Sequence, residues 1–297
     1  MNAGASLPPL DALDAWLAAR EASVDDLKAD NEACVRWFAE PGERSAISIV
    51  YLHGFSASRR EVSPLCERVA DALGANVYFA RLDGHGSTGA ALAAASSQRW
   101  VDEAREALAI GRALGDRVVL VGCSTGATLA TLVAPDAADL AAVVLIAPNF
   151  GVRDPRSALL RWPLARRWVP LLVGERDVPP ENAGHAAFWT TSYPVAALFP
   201  MSETVAAVAG APLERIRAPV LTCWCEDDAV IDPACIEPTL ARMTGAELER
   251  EVVAAMPASD NHVIAGDVFA PAQTDAMIER VLRFLRDRVA TEPSSLA

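Results

Sequence analysis

Short runs of apolar, often β-branched residues alternate along the chain with longer stretches in which apolar positions recur every three or four residues. Residues 46–52, 76–81, 117–122, 141–147 and 219–225 are of the first kind, with the length and composition of strands. Several are apolar almost throughout, as strands covered on both faces of a sheet are. The second kind includes 98–114, with Trp100, Val101, Ala104, Leu108 and Ile110, and 274–289, with Met277, Ile278, Val281, Leu282 and Leu285; this spacing predicts amphipathic helices. The alternation predicts an α/β fold: a mostly parallel central sheet with helices on both faces.

The rhythm breaks after Asn149. From there to about Pro212 the chain holds many prolines, six arginines between Arg153 and Arg176, three of its seven tryptophans and no convincing central strand. A stretch of roughly 60 residues is too long for an ordinary loop in a compact domain. It is read as a helical cap, so that residues 1–149 form the first part of the core, 150–212 the cap and 213–297 the second part. Residues 249–255 read as a further strand before the last helix, and 291–297 as a frayed tail.

With 297 residues, 52% of them hydrophobic and 22% charged, the chain can bury a sizeable core. A net charge of −13 argues against nucleic acid as a partner, and against attraction to anionic lipid at long range. The first ten residues carry no Lys or Arg and no long apolar run, unlike a secretory signal. Nowhere does the chain reach the roughly 18 uninterrupted apolar residues of a bilayer span. A cytoplasmic protein without integral membrane association is therefore expected. The six cysteines lack the repeated close pairs of a structural zinc site and read as buried reduced thiols; Cys223 and Cys225, alternate residues of one strand, leave a metal or disulfide reading geometrically open.

The strongest chemical signal runs from Arg117 to Ala130, an apolar strand leading into Gly122-Cys123-Ser124-Thr125-Gly126 and then a small-residue helix. This is the strand, turn and helix setting that the G-x-S-x-G pattern requires. Glycines permit a tight, strained turn, and the serine hydroxyl then projects from the strand's carboxyl end at a helix N-terminus. Ser124 is the candidate nucleophile. A serine needs a base, and the chain has four histidines: His53, His85, His185 and His262. A third group must orient that base, and Glu226, Asp227 and Asp228 stand together after the 219–225 strand.

The order of these segments resembles the α/β-hydrolase family, particularly bacterial carboxylesterases and monoacylglycerol-lipase-like enzymes, from about Ile47 onward. The resemblance implies that His262, in Ser259-Asp260-Asn261-His262-Val263, is the general base, with His185 as the fallback. It favours Asp228 as the triad acid, because Asp228-Ala229-Val230-Ile231 matches the family's Asp-x-Val-Val register; Asp227 is the runner-up and Glu226 a distant third. In Ile47 to Ser56, the His-Gly-Phe after a strand is similar to the family's oxyanion segment, which implies backbone N–H donors at Phe55 and Thr125. His53 and the His85 of Gly84-His85-Gly86 are then structural.

An elbow serine, rather than the aspartate of dehalogenase and epoxide-hydrolase relatives, implies acyl transfer to water on a small-molecule ester, with no metal or organic cofactor. The cap aromatics suit an acyl chain, and Trp189, Phe188 and Tyr193 are the candidate substrate-binding residues. Amide or peptide hydrolysis, thioesterase or acyltransferase activity on the same triad, and non-catalytic ligand binding are the alternatives.

Overall fold

The computed structural model describes residues 7–257 and 259–289. The 291–297 tail read from the sequence lies outside them. Five strands lie in the first half of the chain: β1 (Cys34–Arg36), β2 (Ser45–Leu52), β3 (Asn76–Phe79), β4 (Gly115–Cys123) and β5 (Leu140–Ile146). A separate hairpin pairs β6 (Glu175–Asp177) with β7 (Ser192–Pro194), and β8 (Val220–Trp224) and β9 (Leu248–Val252) follow. Seven strands form one sheet in the order β1-β3-β2-β4-β5-β8-β9. Every neighbouring pair in it is parallel except the short antiparallel contact of β1 with β3.

The pleat sorts the core into two layers. Val50, Leu52, Val118, Leu120, Val143 and Leu145 face one side with Trp100, Leu108 and Leu114. Their neighbours Ile49, Tyr51, Val119, Val121, Val144 and Ile146 face the other with Val69, Met277, Val281 and Phe284. Because both faces are covered, β4 and β5 can be apolar without alternation. The two helices expected from periodicity form as Ser97–Leu114 and Pro271–Val289, the first capped by the Ser96 hydroxyl, which accepts the Arg99 N–H at 3.2 Å.

Among the elements outside the sequence expectation are β1 and the helix Leu13–Glu21. Both are short, and the helix is fixed by tertiary contacts, with Leu13 and Leu17 buried and Glu21 paired with Arg81. β3 stops at Phe79 rather than reaching Arg81, since Arg81 turns away to Glu21 and the Leu82 N–H turns to His53.

Between β5 and β8, residues 150–212 contribute no strand to the seven-stranded sheet. They hold the helices Ala165–Val173, Ala183–Phe188 and Leu198–Ala207 with the β6/β7 hairpin. Ala165, Val169, Val195 and Phe199 make a small apolar cluster of their own. No helix among the described residues is long and apolar enough to cross a membrane.

Candidate active site

The site is assembled at the carboxyl ends of β2, β4 and β8, where the chain leaves the sheet. β4 passes into the helix Thr125–Val133 through Ser124, which adopts φ 50° and ψ −115°. That conformation is costly for a residue with a Cβ. It is imposed by the surroundings: the Ser124 N–H donates to Ile146 O at 2.9 Å, and the Ser124 carbonyl accepts the N–H groups of Thr128 and Asn149. A Cβ at Gly126 would overlap the Leu52 carbonyl and come within 2.6 Å of His53 O, and one at Gly122 would come within 2.5 Å of Gly126 O. The two motif glycines therefore allow the elbow to touch both the end of β2 and the start of its own helix.

Ser124 Oγ lies 2.9 Å from His262 Nε2, and His262 Nδ1 lies 2.8 Å from Asp228 Oδ2. All three residues are buried. Asp228 follows β8, and its other oxygen accepts the N–H groups of Val230 and Ile231 at 2.8 and 2.9 Å. Its neighbours Glu226 and Asp227 point to solvent, and Glu226 accepts the indole N–H of Trp224. Among the three adjacent carboxylates only Asp228 meets His262. Burial opposes a charge on the His262 ring, but the hydrogen bond it donates to Asp228 and the negative charges of Asp228, Asp260 and Glu61 outweigh it, raising its pKa above the usual histidine value.

The His53-Gly54-Phe55 turn lies against the elbow, since a Cβ on Gly54 would be 3.1 Å from Ser124 Cβ. His53 Nδ1 is 2.9 Å from Gly54 O, which can only accept, and the Leu82 N–H points at Nε2 from 3.1 Å and can only donate. The ring is thus the neutral Nδ1–H tautomer, and burial pushes its pKa down to about 4. Holding the Gly54 carbonyl orients the peptide that carries the Phe55 N–H. That N–H bonds to no acceptor among the described residues. Thr125 is the first residue of its helix, where N–H groups have no intrahelical acceptor.

His85 stacks edge-on against His53 at 4.8 Å and is likewise kept neutral by burial. His185 is not part of this arrangement; it packs on Trp189 and Phe269 at 5.6 and 5.0 Å. Trp189 clusters with Ala57 and Val263, the latter adjacent to His262, and Phe188 packs at the edge of the same cluster under the Arg60 guanidinium. Tyr193 meets Phe55 edge-on at 5.3 Å. Tyr193 therefore contacts the His53-Gly54-Phe55 turn, and Trp189 shares a cluster with Val263, next to His262. All six thiols are free, and burial pushes those of Cys34 and Cys223 up to about 11 and 12.

Three residues at this site were not singled out from the sequence. Asn149 donates its N–H to Ser124 O, and Arg153 donates to the Asp228 carbonyl. Glu61 accepts the Gly54 N–H at 2.7 Å. Each acts on main-chain atoms, and such contacts leave no residue pattern in a single sequence.

The sequence profile described as Alpha/beta hydrolase family matches residues 49–273, more than half of the chain. The chain belongs to the alpha/beta hydrolase family. No curated protein matches it in sequence. Among solved structures it resembles one described under the metagenome-derived lipolytic enzymes LipS and LipT, with TM-score 0.72 and 23% identity over 88% of this chain and 99% of that one. A soluble variant of monoglyceride lipase from Saccharomyces cerevisiae gives TM-score 0.63 at 14% identity, over 86% of this chain and 91% of that one. Est1E from Butyrivibrio proteoclasticus gives 0.56 at 13%, over 87% and 94%. At these identities the likeness establishes the shared fold.

Proposed function

We propose that this hydrolase is a serine esterase that cleaves carboxylic esters of short to medium acyl chain, or monoacylglycerol-like esters, through an acyl-enzyme. The observation that carries the reading is the continuous hydrogen-bonded line from Ser124 Oγ through His262 to Asp228, beside the Phe55 N–H, which bonds to no acceptor among the described residues. Neighbours described as lipolytic enzymes and a monoglyceride lipase support esters over other acyl substrates.

In this mechanism Ser124 Oγ attacks the ester carbonyl while His262 Nε2 takes its proton. Asp228 accepts the Nδ1–H of His262, fixing the tautomer and stabilising the imidazolium. The oxyanion that forms is met by the N–H groups of Phe55 and Thr125, each worth roughly 10²–10³ in rate for donors of this kind. His262 returns the proton to the leaving alcohol, then activates water, which attacks the acyl carbon and releases acid and Ser124. Residues 150–212 act as a cap over the triad, with Trp189, Phe188 and Tyr193 facing the acyl portion.

The test is turnover of p-nitrophenyl esters from acetate to decanoate by wild type and Ser124→Ala, with fluorophosphonate labelling of both. Turnover and labelling that vanish together in the variant support the reading and give the acyl preference. A folded wild type that neither turns over nor labels overturns it and favours a ligand-binding protein.

A further inference from the structure

Glu61 is a carboxyl group in the interior, 2% exposed, and no Lys or Arg pairs with it among the described residues. Burying such a group is expensive unless its oxygens are satisfied. Glu61 Oε2 accepts the Gly54 N–H at 2.7 Å and the Tyr51 O–H at 2.9 Å, and the Cys123 thiol faces the same carboxyl. Tyr51 is on β2, Gly54 is in the oxyanion turn and Cys123 immediately precedes the elbow serine. The backbone of Glu61 also adjoins the segment after His262: a Cβ at Gly266 would come within 2.5 Å of the Glu61 carbonyl oxygen.

The Gly54–Phe55 peptide is thus held from both ends. On its carbonyl side, His53 Nδ1 and the Ala57 N–H reach Gly54 O at 2.9 and 3.3 Å. On the preceding amide, Glu61 holds Gly54 N. Gly54 itself is pressed between two groups, because a Cβ there would lie 2.5 Å from Glu61 Oε1 and 3.1 Å from Ser124 Cβ. The carboxyl and the nucleophile's residue form opposite walls of one slot that admits only glycine.

We propose that Glu61 is a positioning residue for the reaction, setting the spacing between the oxyanion turn and the Ser124 elbow and so the aim of the Phe55 N–H. It does not touch substrate. Its effect passes through main-chain geometry, where a displacement of about 1 Å can cost on the order of 10² in rate. Losing its acceptor should misdirect one donor, so the penalty is bounded by the roughly 10²–10³ attached to deleting such a donor. This inference rests on the acyl-enzyme reading of Ser124.

The test compares Glu61→Gln, Glu61→Asp and Glu61→Leu with wild type and Ser124→Ala on p-nitrophenyl butyrate, each variant first checked for a cooperative thermal transition. Glutamine keeps an acceptor at the same reach, whereas aspartate keeps the charge and draws it back by one methylene. The expected order of kcat is wild type and Gln within about threefold, Asp lower by about tenfold and Leu by about 10²-fold, with KM nearly unchanged throughout. Rescue by glutamine but not by aspartate marks a distance requirement. If the leucine variant does not fold, the Gln and Asp pair still decides. Aspartate with wild-type kcat, glutamine as impaired as aspartate, or losses confined to KM would overturn the proposal. Wild-type activity retained by Ser124→Ala would instead overturn the reading on which it rests.

Discussion

A methyl group added at Gly126 would overlap the carbonyl of Leu52, whereas one added at Gly210 would meet nothing within 4 Å. The two glycines stand for two kinds of structure in one chain. Around the elbow, every main-chain group of Ser124 and Gly54 is fixed by a neighbour, and a strained φ persists because the surroundings outnumber it. In residues 150–212 the apolar side chains are under-used. Among the described residues, seven of the ten exposed large apolar side chains lie between Leu159 and Val178. The lesson is that the packing around Ser124 tolerates little change, while residues 150–212 have room to vary.

The largest expected effect is the loss of essentially all turnover in Ser124→Ala, at least about 10⁴-fold in kcat. Asp228→Asn should follow closely, about 10⁴-fold, because the amide can hold His262 in the wrong tautomer without disturbing its position; burst and steady-state kinetics on a p-nitrophenyl ester measure it. Next comes the paired substitution. Gly126→Ala should cost several kcal/mol or displace the oxyanion turn, while Gly210→Ala, at ordinary φ, should be neutral or stabilising by about 0.4–1 kcal/mol. Equal melting temperatures for the two variants would erase the contrast.

The acid side of the pH profile is a finer test. His262 must be unprotonated to accept the serine proton, so kcat/KM should rise with pH through its pKa and be lost below it. Because Asp228, Asp260 and Glu61 raise that pKa, the midpoint should lie above the free-histidine value of 6.5. A midpoint below it would mean that desolvation dominates. The smallest effect is expected for Leu171→Glu with Leu172→Glu, whose parent side chains are 84% and 76% exposed. Stability should change by less than about 0.5 kcal/mol, and turnover of p-nitrophenyl acetate should be unaltered.

What was legible in the sequence follows the same division. The apolar runs of β2, β4, β5 and β8 announce a covered parallel sheet, because burial on both faces leaves a continuous signal. The elbow at Ser124 could be read from the pattern of strand, turn and helix alone. Asp228 needed a family register, since three adjacent carboxylates look alike until the chain decides which one turns inward. Glu61 and Arg153 were invisible as site residues, because they bind backbone atoms, seven residues away for Glu61 and 75 for Arg153, and a main-chain partner leaves no residue pattern. The net charge of −13 averages over unlike segments, since residues 155–174 contain four arginines and no acidic residue.

The first residues after β5 are knitted to the loop of Asp228, which meets His262. Val152 bridges to Ile231, the Asp232 N–H donates to Gly151 O, the Arg153 N–H donates to Val230 O, and the Arg153 guanidinium holds the Asp228 carbonyl. Evolution or an engineer exchanging residues 150–212 between relatives would therefore find the usable splice point after Arg153 rather than at the end of the strand. A graft cut there keeps the Asp228 loop and its contacts intact.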